Sequence, residues 1–526
     1  METTAPAEQT DSVSTNDQRP AFAAVGVGVV ILVKLALMLS CITQYGYFRD
    51  ELYYLACSEH LSWGYVDQPP LVVAIVWAVR HTLGSSLFAI RLLPALAGCG
   101  SILLAALIAR EMGGRRVAQV IAALGVLSAG VFLIMDHLIT MNAFDPLFWM
   151  ACAFIVLRIQ KTGNERLWLL FGVISGFALL NKYSIGFFAV GIVAGLLLTP
   201  MRKSLARPWI WIGGVIATAI FLPNFLWQMH RDFPFLQLMH HIRQSGRDVS
   251  FGPIGFIAQQ ILMLGPLAAP ALFTGVAWFF TRRGKPYRVL GWAYLVTLIE
   301  MIVLKGKNYY LAPIYPMIFA AAGVALEQWS AGKVRPWRSR TVVAYVSLWM
   351  LSFVLLLPIA LPVLPVETYI RYTKALHIEV PKFENQPQGR LPQIYADMFG
   401  WPEMAQTVAQ YYNSLPPGER QKTAIYGNNY GDLSAIDFFG PRYGLPKPIG
   451  AHQTYWFWGP RQYTGESIIL LGEDDPTWLR QHCASLTTVA ELHDPLARPD
   501  ENLPIYHCRG LDTTLQALWP RLKKFD

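Results

Sequence analysis

The sequence predicts a polytopic α-helical membrane protein with a C-terminal extracytoplasmic α/β domain, and three observations carry that prediction. Of 526 residues, 54% are hydrophobic and only 15% charged, against roughly 25% charged in an ordinary soluble domain. Apolar runs near or above the ~20 residues needed to cross a bilayer recur throughout 21–364. Charge is unevenly divided: residues 1–365 carry 28 Lys/Arg against 16 Asp/Glu, and residues 366–526 carry 15 against 18. Such a chain is not disordered, fibrous or a typical cytosolic enzyme. A basic membrane part beside a mildly acidic soluble part does not point to nucleic acid; the positive-inside rule accounts for it.

Residues 1–20 are polar, rich in Thr, Ser, Asp and Gln, and lack the basic start and cleavage site of a signal peptide. They are expected to form a short disordered cytoplasmic tail. The first span is 21–44. Ten more follow at about 86–109, 117–135, 143–160, 167–181, 184–200, 208–227, 254–280, 289–304, 310–328 and 341–364, about eleven in all. Lys34 within the first either snorkels or is buried in the bundle. The run 69–83 is short, begins Gln68-Pro69-Pro70 and ends near Arg80 and His81. It reads as a helix at the membrane surface.

Charge supports this count. Every second loop is a basic cluster: Arg110, Arg115 and Arg116; Arg158, Lys161 and Arg166; Arg202, Lys203 and Arg207; Arg282, Arg283, Lys285 and Arg288; Lys333, Arg335, Arg338 and Arg340. Strict alternation puts these loops and the N-terminus inside, and an odd number of spans puts the C-terminal domain outside. In residues 366–526, short apolar strands (423–427, 467–472, 504–507) alternate with helix-like stretches (401–414, 476–485). Cys483 and Cys508 are the two cysteines of this domain, and an oxidising compartment predicts a bridge between them. The division is thus 1–20 tail, 21–365 membrane domain and 366–526 outer domain.

Polar residues gather in the outer loops. The first contains Arg49-Asp50-Glu51-Leu52-Tyr53-Tyr54 and then Asp67-Gln68-Pro69-Pro70. Asp50 and Glu51 also suit a helix N-terminus, where carboxylates are favourable. The second, Asp136-His137-Leu138-Ile139-Thr140-Met141-Asn142-Ala143-Phe144-Asp145-Pro146, brackets a hairpin with two carboxylates and a His. Capping by Asn142 or Asp145 explains one of these groups but not Asp136 and His137 together. Lys182 stands between two apolar runs; His230, Arg231, His240, His241 and Arg243 lie in the fourth loop, and Lys305, Lys307 and Tyr310 in the fifth. Cations outside run against the orientation rule. A ligand phosphate gives them a reason: Lys supplies a point charge, Arg a fork and Tyr a further hydrogen bond. Carboxylates beside cations fit a sugar transfer from an anionic, membrane-embedded donor, in which a carboxylate deprotonates the acceptor and cations stabilise the departing phosphate.

Several short motifs stand in one order along the membrane part: Asp50-Glu51-Leu52-Tyr53-Tyr54, Gln68-Pro69-Pro70-Leu71, Arg91-Leu92, Met141-Asn142-Ala143-Phe144-Asp145-Pro146, Asn181-Lys182-Tyr183 and Lys307-Asn308-Tyr309-Tyr310-Leu311-Ala312-Pro313. With them, residues 21–364 resemble the bacterial membrane glycosyltransferases related to protein O-mannosyltransferases (glycosyltransferase family 39), to which the lipid A aminoarabinose transferase is similar. The resemblance implies the C-type glycosyltransferase fold, a polyprenyl-phosphate sugar donor, inversion at the anomeric carbon and a site at the outer leaflet of the inner membrane. It implies Asp50 as catalytic base with Glu51 beside it. Lys182, Lys307 and Tyr310 would bind the donor phosphate, with Arg91 assisting. Asp67 stands where relatives have an acidic residue that helps bind metal or acceptor; from the second outer loop's own residues, Asp136, His137 and Asp145 are added as candidates for the acceptor or a divalent metal ion. Gln68 stands where relatives with lipid A acceptors have Lys, so the acceptor is expected among envelope lipids, glycans or proteins. The alternatives are a transporter or flippase of a lipid-linked sugar, and a non-catalytic lipid-binding partner of an envelope assembly complex.

Overall fold

The computed structural model describes residues 19–331, 336–378, 384–385, 387–473 and 475–526. All but two residues of the expected tail lie outside the described residues, as do Lys333 and Arg335 of the last basic cluster. Every apolar run forms helix. Among the described residues, seven helices are unbroken and long and apolar enough to cross a membrane: Ala24–Cys41, Leu87–Glu111, Met141–Thr162, Pro208–Met229, Lys285–Val303, Asn308–Ser330 and Pro336–Ala360. The chain is a multi-pass membrane protein.

Three runs expected as single spans are bent instead. Arg116–Ser128 and Gly130–His137 meet at 64°, Ile185–Leu197 and Pro200–Ala206 at 109°, and Pro253–Leu264 and Pro266–Phe279 at 102°. Two of the breaks have a local cause. Pro200 and Pro266 have no amide proton to continue the ladder, and Gly265 before the second takes φ +95°, open to glycine at little cost. Leu167–Asn181 has 15 residues, about 23 Å of helix, shorter than the ~30 Å apolar slab. The short run after Pro70 is a 12-residue helix, Leu71–Thr82, that buries Val72, Val73, Val76 and Val79 and leaves Trp77 exposed.

Lys34 is buried in the bundle. Its Nζ lies 2.7 Å from Asp136 Oδ2 and both side chains are inaccessible. Gly98 makes room for the pair, since a Cβ there would approach that oxygen to 2.2 Å. Burying either charge alone would cost several kcal/mol, so the two residues depend on each other.

The C-terminal region is built on a four-stranded sheet: β1 (Thr423–Gly427), β2 (Ser467–Leu471), β3 (Cys483–Glu491) and β4 (Pro504–Leu511), in the order β1-β2-β4-β3. The β1–β2 pair is parallel and the other two are antiparallel. Helix Trp401–Ser414 packs one apolar side on this region with Met404, Ala405, Val408 and Tyr412. The stretch 476–485, expected as helix, is helical only over Thr477–His482. From Cys483 the sequence Leu486-Thr487-Thr488-Val489 favours strand and pairs with β4. Cys483 and Cys508 are bonded to each other, with Cα atoms 5.5 Å apart. Cys41, Cys57, Cys99 and Cys152 are free and buried.

Helix Tyr430–Phe439 lies against helix Arg49–Ser58. Tyr430, Leu433 and Tyr455 share one apolar cluster with Tyr53, Tyr54, Val72 and Ala143. The two parts of the chain therefore meet at the loop that follows the first span, where the candidate chemistry lies.

Candidate active site

The site is organised by the first turn of helix Arg49–Ser58. Glu51 Oε2 accepts from the Phe48 amide at 2.9 Å, which satisfies one of the open donors of a helix start. The same carboxylate receives Arg91 in a fork, Nε to Oε1 at 2.9 Å and Nη2 to Oε2 at 2.7 Å, and it accepts from the Ile139 amide at 3.2 Å. Arg91 also donates to the carbonyls of Ile42 and Gly46 at 3.1 and 2.8 Å, and to His137 Nε2 at 3.3 Å. Glu51 and Arg91 are both 0% exposed. Paired and fully hydrogen-bonded, they tie the loop after the first span to two helices of the bundle.

Asp50 is the next residue round the helix, ~100° from Glu51, and it is turned out of this clamp. Its Oδ1 accepts from the Tyr430 hydroxyl at 2.8 Å. The Arg49 guanidinium lies over the Tyr430 ring at 5.0 Å. The Tyr53 hydroxyl lies 3.1 Å from Asp67 Oδ1 and 2.7 Å from Thr454 Oγ1. Burial, then the negative charge of Asp50, push the Asp67 carboxyl up to about 7. The two carboxylates therefore share one field, and near neutral pH Asp67 is partly protonated.

A second group holds the cations. Lys182 Nζ donates to Asn142 Oδ1 at 2.7 Å, sits 4.4 Å from the Tyr310 ring centre and lies 4.0 Å from Asp145 Oδ2. Burial and the nearby Lys307 charge lower its ammonium to about 8. Lys307 pairs with Asp248 at 2.9 Å, and Arg247 with Glu384 at 2.6 Å. Burial would raise Glu384, yet Arg247, Arg49 and Lys307 outweigh it and hold its carboxyl down at about 2. Asp248 and Glu384 are bridged through their backbones, so both counter-anions belong to one short paired segment.

Lys182, Lys307 and Tyr310 come together from distant parts of the chain, and the Asp50 charge reaches Asp67 and Tyr309. Five expected site residues are occupied elsewhere. Arg91, expected to assist at the phosphate, is consumed by Glu51 and four further acceptors, the carbonyls of Ile42, Gln44 and Gly46 and the His137 ring. Glu51 is itself an anchor within that clamp. Asp136 is committed to Lys34, and His137 to Arg91. Asp145 accepts from Trp149 Nε1 at 3.2 Å and from Ser184 Oγ at 2.7 Å, so it backs Lys182 from within the bundle. Among the described residues, no three His, Cys, Asp or Glu side chains are grouped to hold a metal ion. These residues do not fit a metal centre, and no step below passes through one.

Sequence reasoning gave no role to Arg247, Asp248, Glu384 or Tyr430. Arg247 carried a signal as a cation in an outer loop. Glu384 and Tyr430 lie more than 300 residues from Asp50; the run Tyr426-Gly427-Asn428-Asn429-Tyr430-Gly431 stands out in the sequence, but nothing in it points to Asp50.

The fold has counterparts among known proteins. Residues 67–227 match the family model described as dolichyl-phosphate-mannose-protein mannosyltransferase. The crystal structure of ArnT from Cupriavidus metallidurans bound to undecaprenyl phosphate superposes with a TM-score of 0.60, covering 92% of this chain and 98% of that one at 17% identity. Its apo form gives a TM-score of 0.58, with 94% and 99% covered, also at 17% identity. This is the C-type glycosyltransferase fold. In sequence, the chain is 27% identical over 280 residues to the lipid A galacturonosyltransferase RgtD of Rhizobium johnstonii. That match takes in 50% of this chain and spans only 56% of the relative. The resemblance carried by the outer-loop motifs agrees with all of these likenesses.

Proposed function

We propose that the protein is an inverting glycosyltransferase of the cell envelope that moves a sugar from a polyprenyl-phosphate donor to an envelope acceptor. The observation that carries this reading is that one half-buried carboxylate, Asp50, and a group of cations and tyrosines, Lys182, Lys307, Arg247 and Tyr310, share one electrostatic neighbourhood, linked through Tyr309, Tyr430 and Glu384. The acceptor hydroxyl attacks the anomeric carbon as its proton passes to Asp50. The bond from that carbon to the phosphate oxygen breaks, and its electron pair leaves with the polyprenyl phosphate. Lys182, Lys307 and Arg247 stabilise the charge that develops on the departing oxygen, and the Tyr310 hydroxyl adds a hydrogen bond. A single displacement inverts the configuration. The undecaprenyl phosphate bound by one structural neighbour and the lipid A acceptor in the name of the sequence relative support a lipid-linked donor and a lipid acceptor.

Lys307→Ala tests the donor site. Losing one charge-assisted hydrogen bond should weaken donor binding about ten- to a hundredfold, ~1.5–3 kcal/mol, with folding intact. Donor binding by this variant within twofold of the parent would remove Lys307 from the site.

The protein would sit in the inner membrane with its N-terminus cytoplasmic and 366–526 periplasmic, as the alternation of basic loops indicates. In intact spheroplasts, Ser245→Cys should be labelled by a membrane-impermeant thiol reagent and Arg338→Cys should be protected. The four native free thiols are buried, so background labelling should be low. Labelling at 338 and protection at 245 would reverse the orientation. A transporter of lipid-linked sugar would move the intact donor. Purified protein that consumes the donor and releases polyprenyl phosphate, and loses this ability on Asp50→Asn, separates the two readings.

A further inference from the structure

We infer that Tyr430, from the C-terminal region, is a positioning residue for Asp50, and that this region thereby forms part of the active site; the inference rests on Asp50 acting as the base. The Tyr430 hydroxyl donates to Asp50 Oδ1 at 2.8 Å. Among the described residues Oδ2 has no hydrogen-bond partner, so one oxygen is pinned and the other is left for the acceptor's proton.

Tyr430 is itself held on four sides. Its amide donates to His452 Nδ1 at 2.9 Å. Its ring packs on Tyr53 at 4.8 Å and on His452 at 5.4 Å, and the Arg49 guanidinium covers it at 5.0 Å. Gly431 permits that approach, since a Cβ there would meet Arg49 Cδ at 2.9 Å. Asn429 starts the helix by accepting from the Gly431 and Asp432 amides at 2.7 and 3.0 Å, which sets the direction in which Tyr430 leaves the backbone. The residue is 8% exposed. A tyrosine held in this way is pre-organised: the hydroxyl has little freedom to leave the carboxylate, and Asp50 little freedom to turn.

The other charged and titratable groups around the pair are Arg49 and Arg247 among the cations, Asp67 and Glu384 among the anions, and Tyr53, Tyr54, Tyr309 and His452. A donor on the charged form of a carboxylate favours ionisation. Removing it should therefore raise the pH at which the base becomes active.

Tyr430→Phe keeps the ring and deletes the hydroxyl. The expected result is a roughly tenfold fall in kcat, donor KM within twofold of the parent, and an acid limb of the kcat–pH profile moved to higher pH. Incorporating 3-fluorotyrosine at position 430 keeps the hydroxyl and makes it a stronger donor, so the limb should move down. A merely structural contact would not move the limb in opposite directions. A kcat and profile indistinguishable from the parent in both proteins, with Asp50→Asn inactive in the same assay, would overturn the role of Tyr430 alone. Normal turnover by Asp50→Asn would overturn the base beneath it. With the base upheld, Asp50→Asn/Tyr430→Phe should be no slower than Asp50→Asn, because the hydroxyl acts through the carboxylate; an independent tenfold loss would contradict that.

Discussion

Asp50→Asn should lower turnover by about 10²–10⁴-fold, the range a positioned general base contributes, while donor binding survives. The substitution keeps the volume and removes the basicity. The Tyr430 hydroxyl can still donate to the amide oxygen, so the local hydrogen bond is retained. The cations proposed to hold the donor are Lys182, Lys307 and Arg247, none of which pairs with Asp50. The competing explanation is that Asp50 only stabilises the start of helix Arg49–Ser58. A cap is worth ~0.5–2 kcal/mol and Asn caps about as well as Asp, so that explanation predicts near-normal activity. Turnover within about threefold of the parent, on protein that still binds donor, would decide for the cap.

Arg91→Ala should have the largest effect on folding. It strips the fork from Glu51 and leaves a carboxylate at 0% exposure with two backbone amides as its remaining donors. Breaking a buried pair by removing one partner costs about 3–5 kcal/mol, a large share of the ~5–15 kcal/mol that holds a typical domain folded. It also releases the carbonyls of Ile42 and Gly46 and the His137 ring. The expected outcome is poor recovery of folded protein, or a marked loss of thermal stability in detergent. If Arg91 instead served the donor phosphate, the variant would fold normally and bind donor weakly. Thermal stability close to the parent's, joined to a large donor-affinity loss, would return Arg91 to the site.

The contrast between Asp50 and Glu51 shows what the sequence made legible. Two adjacent carboxylates on a helix diverge by ~100°, so a division of labour could be read from spacing alone. Which cation would take Glu51 could not: Arg49 is near in sequence, yet the fork comes from Arg91, forty residues away in helix Leu87–Glu111. The same limit applies to Asp136 and His137. As side chains at the end of an apolar run they look available, but Lys34 and Arg91 claim them through contacts between helices. The spans themselves were readable because hydropathy and loop charge act locally. The bends at Ala129, Thr199 and Gly265 were less so, since each run keeps its apolar character through the break. Asn181-Lys182-Tyr183 and Lys307-Asn308-Tyr309-Tyr310 could be singled out because cations in outer loops need a reason. Arg247 is the same kind of residue but sits among other basic and histidine side chains of its loop. Glu384 and Tyr430 come from the C-terminal region, and only the folded chain brings them to Asp50.

The central claim is a single displacement on a polyprenyl-phosphate sugar with Asp50 as base. The most direct measurement is to incubate the purified protein with a polyprenyl monophosphate sugar of known anomeric configuration and an envelope lipid extract, then follow donor consumption and determine the anomeric configuration of the product. The expected result is stoichiometric release of polyprenyl phosphate and a product of opposite configuration, both abolished by Asp50→Asn. Retained configuration, or transfer unaffected by that substitution, would contradict it.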